Sequence, residues 1–201
     1  MQARRTPGQR AGLTRARVLA AARQLLADSG PEALTMRALA HRLDVSPNAL
    51  YSHVASKTAL IDDVLDDVLA QVPTPDPDTG DPPAGLYAVM AASHEVLLAH
   101  PGLVPLYLAR QGARGAQAQR LGEVMLALLA RAGIEGAPAR AAMRVLIVYT
   151  IGFAAFATRA PVAPGGEPEP PAEEILDNFH RGLDWLLAGI GVPRGRTAAP
   201  D

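Results

Sequence analysis

Residues 35–57 read TMRALAHRLDVSPNALYSHVASK, a pattern of two short helical segments around a tight turn, with a further helix starting at its end. Thr35 is placed to cap a helix running to about Leu43, because its hydroxyl accepts from first-turn amides that have no helical partner. Leu39, Ala40 and Leu43 then share one face. Asp44 stands where the chain must reverse, and aspartate tolerates a left-handed backbone at little steric cost. Val45 plugs the turn. Ser46 before Pro47 is a start signal, a capping hydroxyl followed by a residue that needs no amide hydrogen at the first helical position. Leu50 and Val54, four apart, point into a core and leave Asn48, Ala49, Tyr51, Ser52 and His53 outward. Short donors, acceptors and methyl groups of this kind suit the base edges of a DNA major groove.

The string SPNALYSHVASK after TMRALAHRL resembles the helix-turn-helix of the TetR family of bacterial transcriptional regulators. Leu50-Tyr51-x-His53-Val54-x-x-Lys57 is the most specific part of that match. The resemblance implies that Thr35, Tyr51, His53 and Lys57 hold phosphates and that Arg37, Pro47, Asn48 and Ala49 lie at the groove, with Ser46 and Ser52 completing the face. Ser52 stands where the tetracycline-binding branch of the family carries a large aromatic residue, so that branch's operator sequence is not implied.

The whole chain is consistent with such a protein. Its 201 residues fit one large or two modest domains. Few aromatics, abundant alanine, leucine and valine, and almost no alternating strand pattern make an all-α fold the economical reading. The absence of cysteine removes disulfides, thiolate metal sites and cysteine nucleophiles, and suits a reducing cytoplasm. The longest uncharged runs, such as 145–158, fall short of the roughly 18 apolar residues of a membrane span, so none is expected. The arginines near the start have no apolar stretch behind them, which argues against a secretory signal. Charge is unevenly spread: residues 1–60 hold nine Lys and Arg against three Asp and Glu, and 61–201 hold ten against seventeen. A basic head on an acidic body is the footprint of a protein that meets phosphates at one end.

In chain order, residues 1–12, with Arg4, Arg5 and Arg10, read as a flexible basic arm. Residues 13–71 form the DNA-binding domain. Its packing helix runs from Thr14 to Ser29 with Val18, Leu19, Ala22, Leu25 and Leu26 at helical spacing, and Gly30-Pro31 stops it. Arg15, Arg17 and Arg23 fall off that stripe, solvated by default and within range of phosphates. Ser56 caps a connecting helix whose Asp62, Asp63, Asp66 and Asp67 read as a solvated face turned away from DNA rather than a metal site. Residues 72–83 hold five prolines and read as a stiff linker between domains. Residues 84–192 form a helical ligand-binding and dimerisation domain, with helices at 84–100, 102–110, 113–132, 137–160 and 172–190, and residues 193–201 a flexible tail. The Pro- and Gly-rich loop 161–171 reads as flexible. The 137–160 helix is apolar nearly all round, which predicts a place in the middle of the bundle.

No acid-base pair, activated nucleophile or clustered metal set stands out, so no enzyme and no cofactor is expected. His94 and His100 are too far apart on one helix to share a metal. Asp177, His180 and Asp184 share a face and read as a solvated network. An apolar interior interrupted by Tyr87, Met90, His94, Tyr107, Arg110, Gln111, Met125, Met143, Arg144, Tyr149, Phe153 and Phe156 has the mixture of a small-molecule pocket, and a largely apolar or aromatic effector is the guest expected. The resemblance places Tyr107 where the tetracycline-binding branch has a metal-coordinating histidine. A neutral tyrosine is a poor metal ligand. In the last helix Leu176, Phe179, Leu183, Leu186 and Ile190 recur at steps of three and four, a seam that seeks a partner helix, while Gly182 and Gly189 permit close approach. The resemblance to the TetR family implies a dimer formed by the last two helices of each subunit. Together the expectation is a cytoplasmic homodimeric repressor that holds a palindromic operator in double-stranded DNA and is released by a small molecule. A ligand-responsive activator, or a small-molecule-binding protein without operator function, is the alternative.

Overall fold

The computed structural model describes residues 12–159 and 170–191; the arm up to residue 11, most of the 161–171 loop and the tail lie outside them. Among the described residues the chain is helical and carries no strand. The helices are α1 (Arg15–Ala33), α2 (Met36–Arg42), α3 (Pro47–Leu50), α4 (Lys57–Leu69), α5 (Pro82–Ala99), α6 (Val104–Arg110), α7 (Ala116–Arg131), α8 (Gly136–Ala157) and α9 (Ala172–Gly191), with a one-turn 3-10 helix at Pro101–Leu103. They fall into two compact units, Met1–Val72 with Glu95–Arg120, and Pro73–His94 with Leu121–Asp201. The chain passes from the first unit to the second after Val72 and then crosses back. Residues 95–120 belong with the N-terminal helices rather than with the body.

Caps and apolar spacing build the first unit. Thr14 accepts from the Arg17 amide at 3.2 Å and starts α1. The α1 backbone turns left-handed at Gly30 (φ 74°), and Pro31 opens one further turn, so the helix is kinked there before it ends. Val18, Ala22, Leu25 and Leu26 of α1, Leu39 and Ala40 of α2, Leu50 of α3, and Leu60, Val64, Leu65 and Val68 of α4 are all buried. Each of the valines and leucines contributes about 1.5–3 kcal/mol of transfer free energy, and each alanine less. Gly102 follows α5 and lies so close to α1 that a Cβ there would sit 2.8 Å from the Leu26 carbonyl oxygen. A side chain at that point would force the backbones apart, one reason residues 95–120 join this unit.

The four aspartates of α4 correct the sequence reading. They are half-buried and bonded. Asp62 accepts two hydrogen bonds from the Arg110 guanidinium, both at 2.7 Å. Asp63 pairs with Arg15 at 2.6 Å and Asp67 with Arg23. Asp66 accepts from the Gln117 and Ala118 amides, at 3.1 and 2.9 Å, and so caps α7. A solvated face was the wrong reading because the partners come from α1, α6 and α7, which spacing along α4 cannot reveal. The same pairs engage Arg15 and Arg23, which the sequence left solvated or within range of phosphates; Arg17 donates to the Gly12 carbonyl at 3.2 Å.

In the second unit the Pro-rich stretch is folded back rather than extended. The Asp76 carboxylate accepts from the Asp78 amide, and Asp81 accepts from the Ala84 amide at the start of α5. Arg131, at the end of α7, donates to the carbonyls of Pro77, Thr79 and Gly80 at 2.7–3.0 Å. A spacer would leave those carbonyls to water; here one guanidinium holds them.

α8 departs from expectation in two ways. At 22 residues, with a mean hydropathy of 1.5 over its most apolar 18-residue window, it is long and apolar enough to cross a membrane by length and composition, although no such helix was expected. Nor does it sit in the middle of a bundle. Ala139, Leu146, Thr150 and Ala154 are buried, while Val145 (49 % exposed), Val148 (69 %) and Phe156 (52 %) form an exposed stripe. An all-round apolar helix normally fills an interior; this chain covers only one side of α8.

Candidate nucleic-acid interface

The residues assigned to DNA lie on or beside α2, α3 and the start of α4, within the first unit. Thr35 accepts from the Ala38 amide at 3.0 Å and fixes the start of α2. Asp44 takes the left-handed conformation (φ 53°) that the reversal between α2 and α3 requires. Ser46 has the extended backbone of a cap and Pro47 holds the first helical position, yet the Ser46 hydroxyl makes no capping bond. The signal there is carried by proline. α3 is a single turn, Pro47–Leu50, continued by a tight turn at 51–53 rather than by more helix. Leu50 and Val54 are nevertheless both buried and anchor it from below. Ser56 caps α4 through the Ala59 amide at 3.0 Å, which leaves Lys57 exposed at the helix start.

Above those anchors, Arg37, Ser46, Pro47, Asn48, Tyr51 and Ser52 are exposed and Ala49 and His53 half-buried. Tyr51 is 52 % exposed although it is among the largest residues of the unit. The Ser52 hydroxyl donates to the Ala49 carbonyl at 2.7 Å, so toward a ligand it has acceptor capacity only. Arg42 is tied to Asp28 at 2.8 Å, whereas Arg37 is exposed.

The residues expected to line a pocket divide. Tyr107, Arg110 and Gln111 lie in the first unit and have structural roles there. Buried Tyr107 donates to the Leu65 carbonyl, and burial followed by Asp66 raises its phenol well above the usual range. Arg110 is bonded to Asp62, which raises its already high value. Gln111 is exposed, in a left-handed conformation (φ 56°) that ends α6. In the second unit Met90, His94 and Met125 are buried, Tyr87, Met143, Tyr149 and Phe153 half-buried, and Arg144 and Phe156 exposed. Tyr87 bonds His180 Nδ1 at 2.7 Å, so His180 is not free in a solvated network with Asp177 and Asp184. Burial, with Asp184 nearby, raises the Tyr87 phenol. Burial pushes the Tyr149 phenol up to about 12.

The α9 seam also divides. Phe179 and Leu183 are fully buried inside their own chain. Tyr149 donates to the Phe179 and Asn178 carbonyls at 2.8 and 3.3 Å, and its hydroxyl fills the space where a side chain at Gly182 would stand. The inward half of the predicted interface is thus an α8–α9 contact within the chain. Leu176 and Gly189 are exposed, and Leu186 and Ile190 half-buried. Trp185, which the seam reading missed because it lies off the three-four spacing, is 70 % exposed. Between α8 and α9 runs a groove of about 580 Å³ lined by Val148, Tyr149, Gly152, Phe153, Phe156, Pro170, Ile175 and Asn178.

Residues 18–64 match the family described as bacterial regulatory proteins, tetR family. An HTH-type transcriptional regulator of Saccharopolyspora erythraea is 36 % identical over 205 residues, spanning 91 % of this chain and 86 % of that protein. The chain belongs to the TetR family. Among solved members, BioQ of Mycobacterium smegmatis is similar over 89 % of this TetR-family chain and 98 % of its own, at 28 % identity and a TM-score of 0.74. BioQ with its natural double-stranded DNA operator gives 29 % identity and a TM-score of 0.72, covering 90 % and 99 %. A TetR variant from Acinetobacter baumannii in complex with minocycline gives 27 % and 0.73, covering 88 % and 96 %. The two-part helical fold and the DNA-binding head are those of a TetR-family transcriptional regulator.

Proposed function

We propose that this TetR-family regulator is a homodimeric repressor of a palindromic operator, released when a small molecule binds among α5, α8 and α9. The observation that carries the reading is the surface made by Thr35, Arg37, Pro47, Asn48, Tyr51 and Lys57, exposed together over a turn anchored by buried Leu50 and Val54. Asn48 and the methylene surface of Pro47 suit base edges, while Thr35, Tyr51 and Lys57 suit phosphates. A second copy of the chain is the fitting cover for the exposed α8 stripe of Val145, Val148 and Phe156, because an apolar face of that kind is costly to leave in water. A two-fold pair would set two heads on half-sites roughly 34 Å apart. The ligand acts through its different affinity for the conformers that do and do not match that spacing, a coupling of about 1–3 kcal/mol. Gel shift and fluorescence anisotropy on the DNA upstream of the chain's own reading frame test this. Tyr51→Ala and Lys57→Ala are expected to weaken binding to all sequences, with the salt dependence falling by about one counterion for Lys57. Asn48→Ala is expected to cost about 1–3 kcal/mol on the preferred site and little elsewhere. Unchanged affinity in all three variants would show that the head is not the DNA-binding surface.

A further inference from the structure

The interior of the second unit contains a polar group with nothing to bond. His94 is 1 % exposed, and neither Nδ1 nor Nε2 has a hydrogen-bond partner. Its ring stacks on Phe179, with centroids 3.9 Å apart and planes 12° from parallel. Phe179 in turn meets Tyr149 and Phe153 at 5.5 and 5.7 Å. One helical turn before His94, on α5, Met90 receives the hydroxyl of buried Thr150 from α8 at 3.5 Å, and a thioether is a weak acceptor. Neighbouring polar groups are well satisfied by comparison: Ser93 donates to the Val89 carbonyl at 2.7 Å and Tyr87 pairs with His180. The unmet capacity is therefore local, a full imidazole and most of one hydroxyl on two packed helices.

Buried polar groups without partners are rare and destabilising. A phenyl ring at position 94 would stack on Phe179 equally well and leave nothing unsatisfied. The imidazole is thus poorly explained by packing and well explained by a guest that completes it. A neutral imidazole offers one donor and one acceptor, and burial, with His180 close by, holds this ring neutral down to about pH 4. Its surroundings are flat rings and a flexible methionine, suited to a planar guest. Met90, Thr150, Tyr149, Phe153 and Phe179 carry no charge, and His180, close to the His94 ring, is already bonded to Tyr87, so an ionised guest would be desolvated with little compensation. We infer that His94 is the hydrogen-bonding anchor of the effector site, and that the effector is an uncharged planar aromatic molecule with a hydroxyl or carbonyl at its rim. The inference rests on the proposal that a small molecule binds among α5, α8 and α9.

The test uses the full chain with 2-naphthol, 2-methylnaphthalene and 2-naphthoate as probes, which share a ring system and differ in the rim group. Affinities come from titration calorimetry, and the state of His94 from the ¹⁵N resonances of histidine-labelled protein. 2-Naphthol is expected to bind at least tenfold more tightly than the other two and to move both His94 ring resonances. His94→Phe is expected to abolish that preference to within twofold while leaving 2-methylnaphthalene unaffected. Equal affinities in the parent chain, a preference that survives His94→Phe, tighter binding of the naphthoate, or no binding of any probe would each overturn the inference. Should the variant misfold, unmoved ¹⁵N resonances in the parent chain with naphthol bound overturn it alone. Operator binding by the ligand-free chain is measured in parallel; its persistence with any of these failures leaves the repressor reading standing.

Discussion

The two units are held together by different forces. The ion pairs described, Arg15–Asp63, Arg23–Asp67, Arg42–Asp28 and Arg110–Asp62, all lie in the unit that contains α1 to α4. The ring contacts, among Tyr87, His94, Tyr149, Phe153, Phe179 and His180, all lie in the other. Hydrogen-bonded charged pairs, of which Arg110–Asp62 is bidentate, set direction and spacing more than they set stability. Stacked rings carry large buried area but tolerate rearrangement, since their contacts are weakly directional. A surface that must match a rigid duplex benefits from the first kind of construction, and an interior that admits a guest from the second.

The largest effect expected from breaking this contrast is in the rings. Phe179→Ala empties the centre of the aromatic cluster and should cost about 3–5 kcal/mol, seen in chemical denaturation as unfolding of the α8–α9 region first. A loss below about 1 kcal/mol would mean that the cluster is not what holds the body. Next comes the pH dependence of His94, whose folded value of about 4 lies below the ordinary 6.5. Between those values the unfolded chain binds the extra proton, so the contribution is complete above about pH 6.5 and is lost as pH falls toward 4. Its size is roughly 3 kcal/mol, at about 1.4 kcal/mol per unit. Denaturation midpoints across this window should fall with pH in the parent chain and flatten in His94→Phe, and parallel slopes would remove the effect from His94. Smaller still is the head's own chemistry. Asp66→Ala removes the cap of α7 and should cost about 1 kcal/mol, whereas Asp28→Ala at the exposed pair with Arg42 should cost under about 0.5 kcal/mol. The reverse order would show that the pairs act by charge alone and not by closing a helix end.

Much of the head was legible because its rules are local. Thr35 and Ser56 cap where a hydroxyl precedes an apolar run, Asp44 turns where aspartate can, and Leu50 and Val54 are buried where the spacing puts them. The exposure of the face they support follows from the same periodicity. What spacing could not supply were partners distant in the chain. Asp62 and Arg110 are 48 residues apart, and Asp66 reaches the α7 amides across 51 and 52. The same blindness affected the body. Phe179 and Leu183 have the spacing of an interface seam, and Tyr149 and the rest of α8 use it up within one chain. Trp185 and Val148, which remain exposed, are conspicuous only once that inward face is occupied. Tyr107 and Arg110 looked like pocket residues because polar groups among apolar ones look alike in sequence, whether they wait for a guest or bond a backbone carbonyl and a carboxylate.

One side chain also sets a limit on how this chain can drift in evolution. The Arg131 fork reaches three carbonyls, of Pro77, Thr79 and Gly80, and those three are in register only at the present length of the segment. Exposed proline-rich joints usually accept insertions freely. This one should accept changes of residue identity far more readily than changes of length, and a lineage that lost the arginine would be released from that restriction.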